Sequence, residues 1–331
     1  MKRIAINGFG RIGRLTLRNL LKRNDVEVIA INDLTDNITL AHLLKYDTAQ
    51  GMMPNSVSGH EDSIIIDGKS IKCFAIKSPL ELPWKDLQID VVVECTGRFT
   101  EKEIALMHHE AGAKRIVISA PATGGVKTIV LGVNDDEISK EDLVFSNASC
   151  TTNCLAPLIK VLDKNFGFTH GLMSTAHAYT ADQNLQDGPH KDLRRARAAA
   201  QNIVPTTTGA AEAVAKVYPS VKGKLSGKAL RVPVITGSIV DLTCILNKTV
   251  TESEINAAFK FASENDMKDI LEYTEAPLVS SDIIGNRHSA IFDSQLTKII
   301  GTLVSVVAWY DNEAGYSARL SDLVCKIALL G

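Results

Sequence analysis

The feature that most constrains the fold is a glycine pattern near the beginning of the sequence. Residues 2–7 predict a buried strand, which is followed by Gly8-x-Gly10-x-x-Gly13 and a predicted helix over 15–21. In this setting Gly8 allows the turn, Gly10 lets the backbone approach a pyrophosphate, and Gly13 lets the helix pack close to the strand. The pattern predicts a dinucleotide-binding fold with the phosphates at the helix N-terminus, where Arg11 and Ile12 are part of the predicted cofactor site.

An acidic residue follows the second predicted strand. This strand runs from Val26 to Asn32, and Asp33 comes next, twenty residues beyond Gly13. A carboxylate at this place hydrogen-bonds the adenosine ribose hydroxyls of NAD and repels the 2′-phosphate of NADP. The alternative is that Asp33 only caps the following turn. Together with the glycine pattern, Asp33 favours NAD as the cofactor.

The remainder of residues 1–149 alternates predicted strands with predicted helices. We expect an α/β domain here, a Rossmann-type doubly wound parallel sheet that binds NAD. Asp67-Gly68 predicts a type I′ turn between two hairpin strands. The further predicted elements are hairpin strands 63–66 and 71–76, strands 90–95, 115–119, 129–132 and 143–145, helices 37–46 and 101–111, and a loop over 48–62.

Residues 150–314 have a different pattern, typical of an α+β catalytic domain with a mostly antiparallel sheet. The polar segment 179–203 is long for a loop, and loops of this length are usually functional. An amphipathic C-terminal helix within 315–331 is expected to pack back on the first domain. The predicted elements are helices 150–166, 210–217, 252–263 and 267–270, and strands 170–178, 228–235, 238–246 and 302–310.

A candidate nucleophile lies where the two domains meet in sequence. Cys150 follows a predicted strand and begins or immediately precedes the predicted helix 150–166. The free N–H groups and positive dipole of a helix N-terminus favour a thiolate, which is the nucleophilic form. His177 is a candidate general base for it. The alternatives are a small buried cysteine and a structural histidine.

Composition narrows the class of protein. The chain has 331 residues and a net charge of −2, which gives no reason to expect a nucleic-acid or membrane partner. Its six cysteines have no disulfide spacing and form no CxxC pair, and no set of residues completes a metal site. We expect no signal peptide, no membrane span and a cytoplasmic location.

Three stretches carry a family resemblance that extends from Ile4 to the end of the chain. They are the motif 148–154 (Ala-Ser-Cys-Thr-Thr-Asn-Cys), His177, and the segment 190–197 (His-Lys-Asp-Leu-Arg-Arg-Ala-Arg). Together they resemble the phosphorylating, NAD-dependent glyceraldehyde-3-phosphate dehydrogenase family of glycolysis and gluconeogenesis. The resemblance implies oxidation of D-glyceraldehyde 3-phosphate with inorganic phosphate to 1,3-bisphosphoglycerate through a hemithioacetal and a thioester on Cys150. It also implies a homotetramer in which 179–203 lines a neighbouring subunit's cofactor pocket.

The resemblance also assigns roles to binding residues, each of which could instead be a cap, a turn residue or a surface ion-pair partner. It implies that Lys77 lies near the adenine and that Thr96, Ser119 and Asn312 lie near the nicotinamide. It implies that Thr180 and Arg231 bind the substrate's phosphate. The implied site for the attacking phosphate consists of Ser149, Thr151, Thr208 and Gly209, the last two at a predicted helix N-terminus.

Some positions depart from the family pattern, and several alternatives stay open. Gly188 stands where a leucine usually packs near the ribose, which weakens the strict preference for NAD; Ala314 and Ala318 change packing. The alternatives within the fold are an erythrose-4-phosphate dehydrogenase, in which the thioester is usually hydrolysed, and an NADP-preferring biosynthetic enzyme. Alternatives of another class are a surface-exposed or RNA-binding protein and a binding-only relative.

Overall fold

The computed structural model describes residues 1–330, which form two compact units. The first unit comprises Met1–Ile129, Asp136–Ala148 and the chain from Ser317 onward. The second comprises Val130–Asp135 and Ser149–Tyr316.

The segment Val130–Asp135 belongs to the second unit, although it lies within the range 1–149 that the sequence assigns to the first domain. Lys160 accounts for this placement. Its ammonium donates to the carbonyls of Gly132 and Val133 at 2.9 and 3.0 Å. These two bonds tie the segment to a helix of the second unit.

The first unit is built on a nine-stranded sheet. Its strands are β1 (Lys2–Asn7), β2 (Val26–Asn32), β3 (Val57–Gly59), β4 (Ser63–Ile66), β5 (Lys69–Phe74), β6 (Val91–Glu94), β7 (Arg115–Ile118), β8 (Lys127–Thr128) and β9 (Val144–Ser146). Their order is β3-β4-β5-β2-β1-β6-β7-β9-β8. Among the described residues, all pairings are parallel except β3–β4 and β4–β5. The predicted doubly wound parallel sheet is therefore confirmed.

Four helices connect these strands, and a fifth comes from the end of the chain. They are α1 (Arg11–Leu20), α2 (Asn37–Lys45), α3 (Lys102–Ala105), α4 (Met107–Glu110) and the part of α8 (Ala314–Ala328) that begins at Ser317. Helix α1 buries Leu15, Leu17 and Leu20 because their spacing places them on one face. Arg115 donates to the Leu330 carbonyl at 2.9 Å, which joins the end of the chain to this unit.

The second unit combines a mixed sheet with three helices. Its strands are β10 (Phe168–Ala178), β11 (Val204–Thr206), β12 (Leu225–Val232), β13 (Ser238–Leu246), β14 (Leu271–Thr274), β15 (Ala290–Asp293), β16 (Lys298–Ile300) and β17 (Leu303–Tyr310). The order is β11-β12-β10-β13-β17-β15-β14, with β16 beside β17. Among the described residues, β10–β12 and β14–β15 are parallel and the other five pairings are antiparallel. The helices are α5 (Cys150–Phe166), α6 (Ala210–Val217) and α7 (Glu252–Glu264).

The short-range predictions succeed where local chemistry dictates the backbone. Asp67 and Gly68 have φ angles of 48° and 80°, as a type I′ turn requires, and they join β4 to β5. The predicted strand 129–132 is wrong: Ile129, Val130 and Leu131 are buried but belong to no strand, and a turn begins at Leu131, where the Val130 carbonyl accepts the amides of Val133 and Asn134. Apolar composition alone does not distinguish a buried strand from a buried turn.

Other predicted elements differ in extent. The helix predicted over 101–111 is interrupted at Leu106, which separates α3 from α4. The helix predicted over 267–270 is a series of turns, in which Asp269 has a φ of 65°. The predicted loop 48–62 contains β3, a three-residue strand too short to give a period.

Candidate active site

The predicted cofactor residues of the first unit lie at the carboxyl ends of parallel strands. Gly8 follows β1 with a φ of 91°, and a Cβ at this position would lie 2.6 Å from the Thr96 amide nitrogen. A Cβ on Gly13 would lie 2.3 Å from the Gly8 carbonyl oxygen. Gly10 caps α1 without a side-chain hydrogen bond and has open space where a Cβ would be. The helix N-terminus can thus receive a pyrophosphate on its free N–H groups.

Asp33 is held beside this glycine turn. Its Oδ2 accepts the Phe9 amide at 2.7 Å, and its Oδ1 accepts the Thr35 amide at 2.9 Å. The side chain is half-buried, and each oxygen retains a second lone pair. The carboxylate therefore has a fixed position and spare acceptor capacity, which fits the hydroxyls of an adenosine ribose.

The remaining residues of this half differ in what they can offer. Arg11 forms a two-pronged ion pair with Asp47, at 2.8 and 3.1 Å, so its backbone rather than its guanidinium is available to a phosphate, as is that of Ile12. The other three residues follow the ends of β5, β6 and β7: they are Lys77, which is exposed, and Thr96 and Ser119, which are half-buried. The donor set fits NAD.

Cys150 is the first residue of α5, as the sequence predicts. Ala148 precedes the helix with a φ of 56°, a left-handed conformation that costs a non-glycine residue roughly 1–2 kcal/mol. The Ser149 hydroxyl caps the helix by accepting the Thr152 amide at 3.1 Å. The strained turn and the cap together fix the direction in which the thiol leaves the backbone.

The structure brings His177 to this thiol. His177 lies on β10, and its Nε2 is 3.3 Å from Cys150 Sγ. The ring is buried, and its Nδ1 lies 2.7 Å from the Ala178 carbonyl oxygen. The tautomer with a proton on Nδ1 donates to this carbonyl and leaves the Nε2 lone pair facing the thiol, whereas Arg231 Nη1, 2.8 Å from the same Nδ1, can only donate. Tyr310 packs edge-on against the ring, with centroids 5.9 Å apart.

The protonation state of this pair differs from the sequence expectation of a thiolate. Burial raises the pKa of the Cys150 thiol, although Arg231 and the Thr151 hydrogen bonds act in the opposite direction. Burial, followed by the charge of Arg231, lowers the pKa of His177 to about 3. With the pKa of the thiol raised and that of the imidazole lowered, the pair at neutral pH is a thiol and a neutral imidazole in contact.

A cluster of charged and hydroxyl groups adjoins His177. Arg231 pairs with His177 in the parallel register of β12 and β10, and its Nη1 lies 2.8 Å from His177 Nδ1 and 3.1 Å from the Ala178 oxygen. Thr180 donates its hydroxyl to Asp182, which also pairs with Arg195 at 2.5 Å. Burial opposes the ionisation of Asp182, but Thr180, Arg231 and Arg195 together lower its pKa. Arg195 also pairs with Asp192 at 3.7 Å, so Arg231, whose Nε makes no hydrogen bond within residues 1–330, is the guanidinium of this cluster that can receive an anion.

The other predicted phosphate residues lie at the beginnings of two helices. Thr151, buried in α5, shares a hydrogen bond of 2.9 Å with the Tyr310 hydroxyl. Thr208 accepts the Ala210 amide at 3.2 Å, and Gly209 is the exposed N-cap of α6 without a side-chain bond. These two helix beginnings offer N–H and hydroxyl donors to an anion.

Asn312 follows β17 and is buried. Its Oδ1 accepts the Ser238 hydroxyl at 2.9 Å, which fixes the orientation of the amide. The sequence indicates this position only through the family resemblance.

Three contributors to the site were not predicted. Tyr310 joins Thr151 to Thr175 through its hydroxyl, while Asp182 and Arg195 complete the charged cluster. Arg195 belongs to the basic segment 190–197, and the excess of cationic residues in that segment was the sequence signal that could have indicated Arg195. Nothing local marks Tyr310, because its partners Thr151 and Thr175 are distant in sequence, and the proximity of Asp182 to Thr180 does not by itself indicate its pairing with Arg195.

Residues 1–330 lack a metal site and a membrane-spanning helix. They contain no group of three or more His, Cys, Asp or Glu side chains placed to hold a metal ion. No helix in the same range has the length and apolarity needed to cross a membrane.

Known proteins of one family match this chain over almost its whole length. Residues 2–102 match the family model for the NAD-binding domain of glyceraldehyde 3-phosphate dehydrogenase, and residues 149–312 match the model for its C-terminal domain. The chain is 58% identical to glyceraldehyde-3-phosphate dehydrogenase of Mycobacterium avium over 332 aligned positions, covering 98% of each chain. It is 60% identical to that of Mycobacterium bovis, also over 98% of each chain. Glyceraldehyde-3-phosphate dehydrogenase 2 of Streptomyces avermitilis is 55% identical over 97% of each chain.

Proposed function

The chain belongs to the glyceraldehyde-3-phosphate dehydrogenase family, and from this premise we propose which of its residues carry out the reaction. It is an NAD-dependent oxidoreductase of glycolysis, which oxidises D-glyceraldehyde 3-phosphate and uses inorganic phosphate to form 1,3-bisphosphoglycerate. Cys150 is the nucleophile and His177 the general base. The observation that carries this assignment is the 3.3 Å contact between Sγ and Nε2 at the beginning of α5.

The first half of the reaction forms a thioester on Cys150. As Sγ attacks the aldehyde carbon, His177 Nε2 accepts the thiol proton and returns it to the carbonyl oxygen, giving a hemithioacetal. His177 then takes the hydroxyl proton while the carbon loses its hydride. NAD, when bound, supplies the acceptor for that hydride. N–H groups at the start of α5 stabilise the negative oxygen, and losing one such donor typically costs about 10²–10³ in rate.

The second half transfers the acyl group to phosphate. A phosphate oxygen attacks the thioester carbon, the carbon–sulfur bond breaks, and the sulfur leaves as a thiolate. The proton held by His177 returns to this sulfur, which restores the resting pair. The acyl phosphate keeps the energy of the oxidation that hydrolysis of the thioester would release.

Two anion sites support these roles. We assign the phosphate of the substrate to Thr180 and Arg231, because Arg231 directly adjoins His177 and carries the positive charge. We assign the attacking phosphate to the helix beginnings that contain Ser149, Thr151, Thr208 and Gly209. The cofactor contacts are assigned to the edge residues Gly8, Gly10, Arg11, Ile12, Gly13, Asp33, Lys77, Thr96 and Ser119, and to Asn312.

We further propose a cytoplasmic homotetramer. The sheet of the second unit supports self-association, because Leu172, Thr243, Ile245 and Leu303 share one face through the registers of β10, β13 and β17. Leu172 is 67% exposed and Leu303 is 39% exposed. Apolar side chains grouped in this way favour burial against another chain. Light scattering of the purified protein measures the mass directly, and a monomer would contradict this proposal.

The test of the function is NADH formation with and without inorganic phosphate. We expect phosphate-dependent turnover with D-glyceraldehyde 3-phosphate, and none for Cys150→Ser, which should still bind NAD. Erythrose 4-phosphate serves as the competing substrate. A faster, phosphate-independent reaction with erythrose 4-phosphate would contradict the assignment of the second anion site. Wild-type turnover by Cys150→Ser would contradict the role of Cys150.

A further inference from the structure

A buried polar cluster of the first unit lies beneath the edge that carries the cofactor residues. Its members are Asn7 at the end of β1, Glu94 at the end of β6, Thr96, His108 of α4 and Trp84. Asn7, Glu94, His108 and Trp84 are each at most 1% exposed. Strands β1 and β6 are neighbours at the point where the strand order reverses, which is where doubly wound sheets bind their ligands.

The hydrogen bonds of this cluster fix its protonation. The Trp84 Nε1–H only donates, and it lies 3.0 Å from His108 Nδ1, so Nδ1 carries no proton. His108 is therefore neutral and donates its Nε2–H to Glu94 at 3.2 Å. Glu94 also accepts the Asn7 amide at 2.6 Å, the Thr96 backbone amide at 2.7 Å and the Thr96 hydroxyl. Four donors surround the carboxyl group and stabilise its ionised form.

The cluster thus buries one negative charge without a cation to balance it. The groups that face His108 are Glu94, the Trp84 and Phe99 rings and the Asn7 amide, and only Glu94 among them is charged. Burying an isolated carboxylate is costly even when it is fully hydrogen-bonded. A charge retained at such a cost at the ligand-binding edge calls for a function there.

The position of the charge indicates which part of the cofactor it affects. Gly8 and Asp33 follow β1 and β2, in the half of the sheet that takes the adenosine, whereas Glu94 ends β6 and Thr96 follows it, in the other mononucleotide-binding half. The nicotinamide ring is positively charged when oxidised and neutral when reduced. We propose that the Glu94 carboxylate, held by four hydrogen-bond donors, stabilises oxidised nicotinamide relative to reduced nicotinamide in the bound cofactor. The inference rests on the NAD dependence stated above.

Calorimetric titration of the full chain with NAD, NADH and ADP-ribose tests the effect of the charge. We expect Glu94→Gln to raise the ratio of the NAD Kd to the NADH Kd by about threefold to tenfold, because only the oxidised ring loses a Coulomb attraction. The Kd of ADP-ribose, which lacks the nicotinamide, should not change. Equal weakening of NAD and NADH would overturn the proposal, since a purely structural role affects both forms alike.

His108→Gln is the matched control. A glutamine can accept from Trp84 and donate to Glu94 as the neutral histidine does, so the cluster keeps its charge. We expect the wild-type Kd ratio. A shift equal to that of Glu94→Gln would assign the effect to packing and overturn the proposal.

A second variant tests the inference if Glu94→Gln does not fold. Glu94→Met removes the same charge with a side chain of similar length. We expect it to raise the Kd ratio in the same direction as Glu94→Gln. An unchanged ratio in a folded Glu94→Met variant would refute the role of the charge. The wild-type titration also shows whether the chain binds NAD at all. A failure of the proposed function would therefore appear as absent NAD binding by the wild type, and not as a change in the Kd ratio of a variant.

Discussion

The replacement of Asp33 by asparagine should convert a strong preference for NAD into a weak one. The carboxylate accepts the Phe9 amide at 2.7 Å and the Thr35 amide at 2.9 Å. Asparagine keeps one acceptor oxygen and presents an NH₂ to the other amide. The lost hydrogen bond costs about 1 kcal/mol, and this loss weakens NAD and NADP equally. It therefore cancels when the two cofactors are compared.

The repulsion between the Asp33 carboxylate and the 2′-phosphate of NADP does not cancel in this comparison, because NAD has no 2′-phosphate. A carboxylate that contacts the ribose hydroxyls would lie about 5 Å from a 2′-phosphate of about −1.5 to −2 charges, which gives a repulsion of about 2.5–3.3 kcal/mol at an effective dielectric constant of about 40. Salt screening at this half-exposed position reduces the repulsion to about 1.4–2.7 kcal/mol. We therefore expect Asp33→Asn to raise the NADP-to-NAD ratio of kcat/KM by about 10- to 100-fold.

The assay is initial-rate formation of reduced cofactor with D-glyceraldehyde 3-phosphate and inorganic phosphate. Asp36→Asn is the matched control, because Asp36 caps α2 three residues away and asparagine caps equally well. It removes the same charge from the same loop, and its ratio should stay within about twofold of wild type. If Asp33→Asn retained NAD turnover with an unchanged ratio, Asp33 would not be the ribose ligand.

Three further predictions concern the thiol site. Replacing His177 by glutamine should lower kcat by about 10²–10⁴-fold without changing the NAD Kd, because the proton acceptor is lost while the cofactor residues are intact; turnover near wild type would contradict the base assignment. Alkylation of Cys150 by iodoacetamide in the free protein should become steadily faster as the pH is raised from about 7 to about 9. Burial raises the pKa of the thiol, so the reactive thiolate appears only as the pH increases. A rate that is already constant at neutral pH would show a preformed thiolate and contradict this prediction. Tyr310→Phe should lower the free energy of unfolding in urea by about 1–3 kcal/mol, because the hydroxyls of Thr151 and Thr175 lose their buried partner; an unchanged midpoint and slope would contradict this network.

The sequence predicted those parts of the fold that depend on local chemistry. Gly8 and Gly13 occupy positions where a side chain would collide with backbone, so the glycine pattern specified the first strand, turn and helix. Ser149 caps α5 as its position before the helical spacing indicates. The turn at Gly132 and the break at Leu106 depend on contacts made only in the folded chain, so apolar runs alone predicted them wrongly.

The charged surroundings of His177 show a second limit. Arg231 is 54 residues away in sequence, and it reaches His177 only because β10 and β12 pair in parallel with these two residues in register. Strand pairing of this kind follows from the whole sheet, and no motif near His177 encodes it. Family resemblance could associate Arg231 with a phosphate, but the contact with the base had to come from the structure.

Cys150 shows why a sequence motif identifies a reactive residue more securely than it predicts the protonation state of that residue. A helix N-terminus favours an anion by about 0.3–2 kcal/mol, whereas burial can shift a pKa by up to about 3–5 units, which is a larger free energy. Both act on Cys150, and burial dominates in the free chain. A nucleophile that rests as a thiol must lose its proton during attack, so its reactivity depends on an acceptor in contact. We propose the neutral imidazole of His177, 3.3 Å away, as that acceptor, and the burial and positive charge that lower its pKa keep it unprotonated at neutral pH.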